Sequence, residues 1–143
     1  MKDKNCGYCG NETILSDYGI FIKHLKHSDL YLFKEQSHPG RVIVAYKDHI
    51  NDITDLSDDE RNGFFADISL VSKAVKKLYK PAKVNYGMYN DKGTHLHCHI
   101  VPKYTDGFEF GDVFQMNPRT KYLSEEEYKK IIEIYDAETK SDN

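Results

Sequence analysis

Three short apolar runs, each set off by turn residues, occupy the first third of the chain: Tyr18 to Ile22 (YGIFI), Leu30 to Phe33 (LYLF) and Val42 to Tyr46 (VIVAY), the last entered through His38-Pro39-Gly40. Runs of this length between turn-formers read as strands. The period then changes. Ser57 is a good N-cap with Glu60 three residues on, a capping box. Phe64, Ile68, Val71, Val75 and Leu78 follow at spacings of four, three, four and three, one apolar stripe of an amphipathic helix that Pro81 ends. Two further strands are expected at about Val84 to Tyr89 and Leu96 to Pro102, joined by the turn Asn90-Asp91-Lys92-Gly93. An irregular stretch rich in Gly and Phe, residues 106–122, leads to a last helix that opens at Ser124 with Glu127 as a second capping box and buries Tyr128, Ile131, Ile132 and Tyr135. The pattern predicts an α+β fold: an antiparallel sheet of about five strands with one long helix packed on it, and a C-terminal helix. No repeat, low-complexity tract or linker divides the chain, so residues 1–143 read as a single domain, with a leading segment over 1–12 and a frayed tail over about 137–143.

The fifth predicted strand carries the candidate chemistry, in His95-Leu96-His97-Cys98-His99-Ile100-Val101-Pro102. Side chains alternate along a strand, so the three histidines share one face while Leu96, Cys98 and Ile100 share the other and belong in the core. A lone strand histidine is usually a packed or surface residue, and an HxH pair is often a metal site. Three of the chain's seven histidines on one face ask for more. Their Cα atoms rise in steps of ~6.6 Å, placing the outer two ~13 Å apart, whereas a Zn–N bond is about 2.0–2.1 Å. At most two of them share one ion, and at least one is free for other work.

Composition narrows the partners. A net charge of −3 argues against binding a nucleic acid polymer, which needs clustered Lys and Arg, but leaves room for a small anion held by a few donors. No apolar run approaches the ~20 residues of a membrane span, and MKDKNCGYCG lacks the apolar core of a signal peptide, so a soluble, cytoplasmic protein with no membrane partner is expected. Cys6 and Cys9 form a CxxC pair followed by Gly10, and Cys98 stands apart. Such a pair reads as a metal grip, a redox couple or neither.

The segment HLHCHIV resembles, at every position, the signature of the histidine triad (HIT) superfamily, in which histidine alternates with apolar residues. VNYGMYNDKGTHLHCHIVPKY is similar to the last two strands of bacterial HIT hydrolases, and GRVIVAYKDHINDITDLSDDE to their strand, basic turn and helix entry. With the CxxC pair the resemblance spans roughly residues 6 to 105, and DGFEFGDVFQMNPRTKYLSEEEYKK resembles one bacterial subgroup. Leu96 stands where galactose-1-phosphate uridylyltransferases carry Pro, and the chain lacks the basic zinc finger of aprataxin-like members.

The resemblance implies the HIT fold and a hydrolase or transferase. It would act at the α-phosphorus of a nucleoside phosphoramidate or dinucleoside polyphosphate, a small-molecule substrate, through a nucleotidyl-histidine intermediate that releases a nucleoside monophosphate. His97 matches the nucleophile and His99 the donor to the phosphate. Asn85 matches an amide that binds the same phosphate, and Thr94 a nearby hydroxyl or backbone donor. Glu35 is the candidate for the ribose hydroxyls. Arg41, a further candidate substrate contact, stands where many members place a histidine of the catalytic hydrogen-bond chain. Zinc-bearing relatives imply a structural zinc on Cys6, Cys9, His49 and His95, with His38 as rival for the fourth place. The family resemblance also implies a homodimer formed through the long helix, Ser57 to Tyr79, and the sheet edge after Val84. The competing readings are a non-catalytic nucleotide-binding or sensor module on the same fold, and a metal hydrolase built on HxH.

Overall fold

The computed structural model describes residues 2–140. The chain begins with a 3-10 turn at Gly7–Cys9 and a short helix, α1 (Glu12–Leu15), capped by the Asn11 side chain. Strands β1 (Gly19–His24), β2 (Ser28–Phe33) and β3 (Val42–Tyr46) follow, then a 3-10 turn at Ile53–Asp55 and the long helix α2 (Asp58–Tyr79). Strands β4 (Lys83–Gly87) and β5 (His97–Lys103) and helix α3 (Glu125–Glu138) complete the order. Both expected capping boxes form: Ser57 with Glu60 at α2, and Ser124 with Glu127 at α3.

Among the described residues the five strands make one sheet in the order β1-β2-β3-β5-β4, every neighbouring pair antiparallel. Alternation divides the sheet into two unlike faces. Leu30, Leu32, Val42, Val44, Cys98 and Ile100 point to one, where Phe64, Ile68, Val71 and Val75 of α2 close the main core. Tyr31, Phe33, Ile43 and Ala45 point to the other, which Tyr8, Leu15 and Tyr18 cover only in part. The helix therefore seals one face, and the second face is left for a site.

Several strand ends differ from the sequence reading by one or two residues, and two of them have a local cause. β4 stops at Gly87 rather than Tyr89, because the Tyr89 ring folds back over Gly87: a Cβ there would lie 2.5 Å from it. β5 starts at His97, since the Leu96 N–H turns away to the Ile50 carbonyl at 2.7 Å. At the other end the expected fraying from 137 is corrected. α3 continues to Glu138, and Thr139 is buried with its hydroxyl on the Tyr135 carbonyl. The last residues of that expected tail, 141–143, lie outside the described part. No helix among the described residues is long and apolar enough to cross a membrane.

The stretch between β5 and α3 acts as a strap across the β2–β3 connection. Lys121 accepts the Gln36 N–H at 2.8 Å, and the Tyr104 hydroxyl donates to the Pro39 carbonyl at 2.7 Å. Beneath it, buried Lys103 donates to the carbonyls of Glu109 and Asp112, and His38 bonds the Glu109 carboxylate. Gly40 turns with φ +94° where the Tyr79 ring leaves no room for a Cβ.

Candidate active site and metal centre

The open sheet face and the N-terminal segment enclose a cleft of about 520 Å3 lined by His95, His97 and His99. His97 and His99 stand side by side on β5, ring centres 5.2 Å apart. The Nδ1 of His97 lies 2.7 Å from the carbonyl of His95. A carbonyl only accepts, so Nδ1 carries the proton and Nε2 keeps its lone pair. Burial holds this imidazole below its ordinary pKa, against the opposing pull of that carbonyl. A neutral ring in one tautomer is what a nitrogen nucleophile requires. His99 is held well below its ordinary value by burial first, then by the charge of Arg41 and by His97. It too is neutral at pH 7.

His95 faces a different task. Its Nε2 donates to the Tyr46 carbonyl at 2.6 Å, which leaves Nδ1 as the free ligand atom. Around that atom stand the sulfurs of Cys6 at 3.5 Å and Cys9 at 3.4 Å, and His49 Nδ1 at 3.2 Å. All four ligand atoms lie within 4.8 Å of one another. A tetrahedral ion with Zn–S of about 2.3 Å and Zn–N of about 2.0–2.1 Å needs S···N near 3.6 Å and N···N near 3.3 Å. The donor set fits a soft, four-coordinate cation. Burial, reinforced by the hydrogen bond with Cys9, pushes the Cys6 thiol up to about 11, so a thiolate here requires a cation to offset its charge. His38, the rival ligand, is instead paired with Glu109.

The remaining candidates fare unevenly. Thr94 lines the cleft, but its hydroxyl bonds Nε2 of His49, a candidate metal ligand, at 3.2 Å. Asn85 is not brought to the histidines. It pairs with Val101 on β5 and opens onto a separate cleft with Tyr89 and Phe114, whose rings close over Gly87, the residue opposite His99. Glu35 is corrected from ribose ligand to structural anchor. It is 1% exposed, and its carboxylate accepts from the N–H groups of Ser37, Thr120 and Lys121 and from two hydroxyls, which leaves no free face for a sugar. Arg41 is fully buried, so it is not brought to the cleft as a substrate contact; its guanidinium donates to Nδ1 of His99 at 3.2 Å and to the Met116 carbonyl at 2.8 Å.

Other residues of the cleft escaped the sequence reading. Tyr8 packs its ring 5.4 Å from His95 and 5.2 Å from His97. Its place between the two cysteines was the available signal. Met116 and Asn117 of the strap also line the cleft, and the Asn117 Oδ1 is buried without a partner among the described residues. No local pattern foretells where an irregular segment crosses a sheet.

Comparison with known proteins agrees with this geometry. Protein hit of Bacillus subtilis is 26% identical over 120 residues, covering 78% of this chain and 80% of that protein. A histidine triad protein from Bradyrhizobium japonicum shares the fold with a TM-score of 0.81 at 20% identity, over 89% of this chain and 95% of that one. A Zn-bound histidine triad family protein from Mycobacterium smegmatis matches with a TM-score of 0.64 at 19% identity, over 94% and 92%. Residues 19–106 match the HIT domain itself, a stretch that holds all three histidines of the row, and the chain belongs to the HIT domain family.

Proposed function

We propose that this protein is a nucleotide hydrolase or transferase that forms a nucleotidyl-histidine intermediate on His97. The observation that carries the reading is the His97 tautomer: its Nδ1–H is fixed on the His95 carbonyl, so Nε2 faces a cleft with its lone pair free. In the first step Nε2 bonds to the α-phosphorus of a nucleoside phosphoramidate or dinucleoside polyphosphate. The bond from phosphorus to the leaving group breaks, and the leaving group departs with the electron pair and takes a proton from solvent. Water then attacks the same phosphorus and gives a proton back to solvent, the N–P bond breaks with its electron pair returning to Nε2, and the nucleoside monophosphate leaves with His97 neutral again. A positioned N–H on His99 stabilises the charge that builds on the phosphoryl oxygens in both steps, usually the largest catalytic contribution at such a site.

In the same reading the ion held by Cys6, Cys9, His49 and His95 is zinc and structural, because four protein ligands close the shell. It supplies a clamp between the N-terminal segment and the sheet, and no bond of the substrate involves it. The working unit is a homodimer built on α2 and the free edge of β4.

Mass spectrometry tests the proposal directly. After incubation with adenosine 5′-phosphoramidate and a rapid quench, an acid-labile adenylyl group is expected on the peptide carrying His97, and none in His97→Ala. A non-catalytic nucleotide-binding module would bind AMP and yield neither adduct nor turnover, and that result would overturn the reading.

A further inference from the structure

The two cleft histidines are chemically alike and sit on one strand face, yet the proposed reaction asks opposite things of them: a lone pair from His97 and an N–H from His99. A neutral imidazole has two tautomers, and the partner of the nitrogen turned away from the cleft selects between them. For His97 that partner is a carbonyl, which only accepts. For His99 it is the guanidinium of Arg41, 3.2 Å from Nδ1. A guanidinium carries five donors and no acceptor, so Nδ1 of His99 must take the hydrogen bond and the ring's only proton sits on Nε2. The two partners thus impose opposite tautomers on neighbouring rings.

We propose that Arg41 is a positioning residue that fixes His99 as the Nε2–H donor of the cleft, and that the strap between β5 and α3 holds the guanidinium in that pose. The nucleotide-phosphate reading identifies the acceptor of that N–H, and the inference rests on it to that extent. Three observations carry it. Arg41 has no exposed surface, so it contacts no substrate itself. Its nitrogens donate to the carbonyls of Gln115 at 3.2 Å and Met116 at 2.8 Å, both on the strap. Its plane lies over the Phe33 ring at 3.9 Å, with Phe114 on another side at 5.0 Å. Among the described residues no carboxylate pairs with it, and its buried Nε has no partner. A buried cation held by carbonyls, rings, the Met116 thioether and one imidazole, with no carboxylate, is costly, and what it achieves here is the orientation of His99. Gln115 and Met116 lie beyond the matched HIT segment, which ends at 106. The arrangement therefore depends on a segment outside the matched domain.

The test reads tautomers by long-range proton–nitrogen NMR on histidine-labelled protein at pH 7, without nucleotide. Wild type is expected to show His97 protonated on Nδ1 and His99 on Nε2. A His99 protonated on Nδ1 overturns the proposal without any variant having to fold. In Arg41→Met the His99 signals should move toward the other tautomer while the His97 pattern stays. kcat on adenosine 5′-phosphoramidate should fall about tenfold to a hundredfold, with KM changed much less. Arg41→Lys, which still only donates, should keep the Nε2–H tautomer and recover part of kcat. Unchanged tautomer and unchanged kcat in Arg41→Met overturn the proposal. If wild type forms no adduct on His97 although the tautomers are as expected, the function reading fails and the assignment of Arg41 as the group that sets the His99 ring stands.

Discussion

His97 and Glu35 illustrate how a partner atom decides what a side chain can do. The imidazole of His97 is free at Nε2 because a carbonyl occupies Nδ1. Replacing it with Ala is expected to abolish turnover while AMP binding, by calorimetry, stays within about tenfold, because the ring acts in bond making rather than in holding the nucleotide. Glu35 has no such freedom. Burial alone would raise its pKa, but the bonds from the Ser37 hydroxyl and from the N–H groups of Ser37, Thr120 and Lys121 outweigh it and bring the carboxyl down to about 2 from an ordinary 4.5. A pKa lowered by folding contributes stability above the unfolded value and loses it as pH falls through the folded one. The contribution is about 3 kcal/mol, complete above pH 5 and fading toward pH 2. Glu35→Gln should therefore unfold at lower urea concentration than wild type at pH 7, and the difference should close as pH falls from 5 to 2. A difference independent of pH would show that the charge is not the source.

The N-terminal segment shows the same logic at the level of an element. Gly7–Cys9 is a single 3-10 turn and α1 spans Glu12–Leu15, too little backbone to be stable alone. What fastens them is the meeting of Cys6 and Cys9 with His49 and His95, and Tyr8 between the cysteines is carried onto the rings of His95 and His97 as a result. Elemental analysis should find about one zinc per chain, and Cys6→Ser or His49→Ala should lose it together with several degrees of Tm, since metal affinity is linked to folding. The chain has no Trp, so near-ultraviolet circular dichroism reports chiefly on its tyrosines. Chelation should weaken that signal and slow turnover as Tyr8 leaves the cleft. Full turnover in metal-free protein would remove any tie between this element and the chemistry.

For the whole molecule, the two-faced sheet bears on the proposed assembly as well as on the proposed chemistry. α2 seals one face, and β4 is an outer strand. Beside it Phe65 of α2, Tyr86 and Met88 are 43%, 52% and 37% exposed around a shared groove. Apolar side chains next to an unpaired strand edge suit a second copy of the chain. Light scattering at micromolar concentration should give twice the chain mass, and Phe65→Glu should shift it toward the monomer without unfolding. A monomer mass for wild type would count against the homodimer.

Much of this protein was legible in its sequence because it depends on local period. The change from short apolar runs to a four-three spacing located the strands and α2, and the two capping boxes located the starts of α2 and α3. Strict alternation through HLHCHIV put Cys98 and Ile100 in the core and the histidines on the opposite face. Resemblance to a known family then supplied His49 and His95 as companions to the cysteines, and the fold brings the four together. Tertiary structure alone decided which polar side chains meet which partners. Glu35 meets the N–H of Thr120, Arg41 meets the carbonyl of Met116, and Asn85 opens onto the cleft lined by Phe114 rather than the one lined by the histidines. Each of these outcomes is set by where the irregular strap crosses the β2–β3 connection. A segment without a repeating period has no local rule for its path, and hydrogen bonds between residues far apart in sequence exist only once the path is fixed.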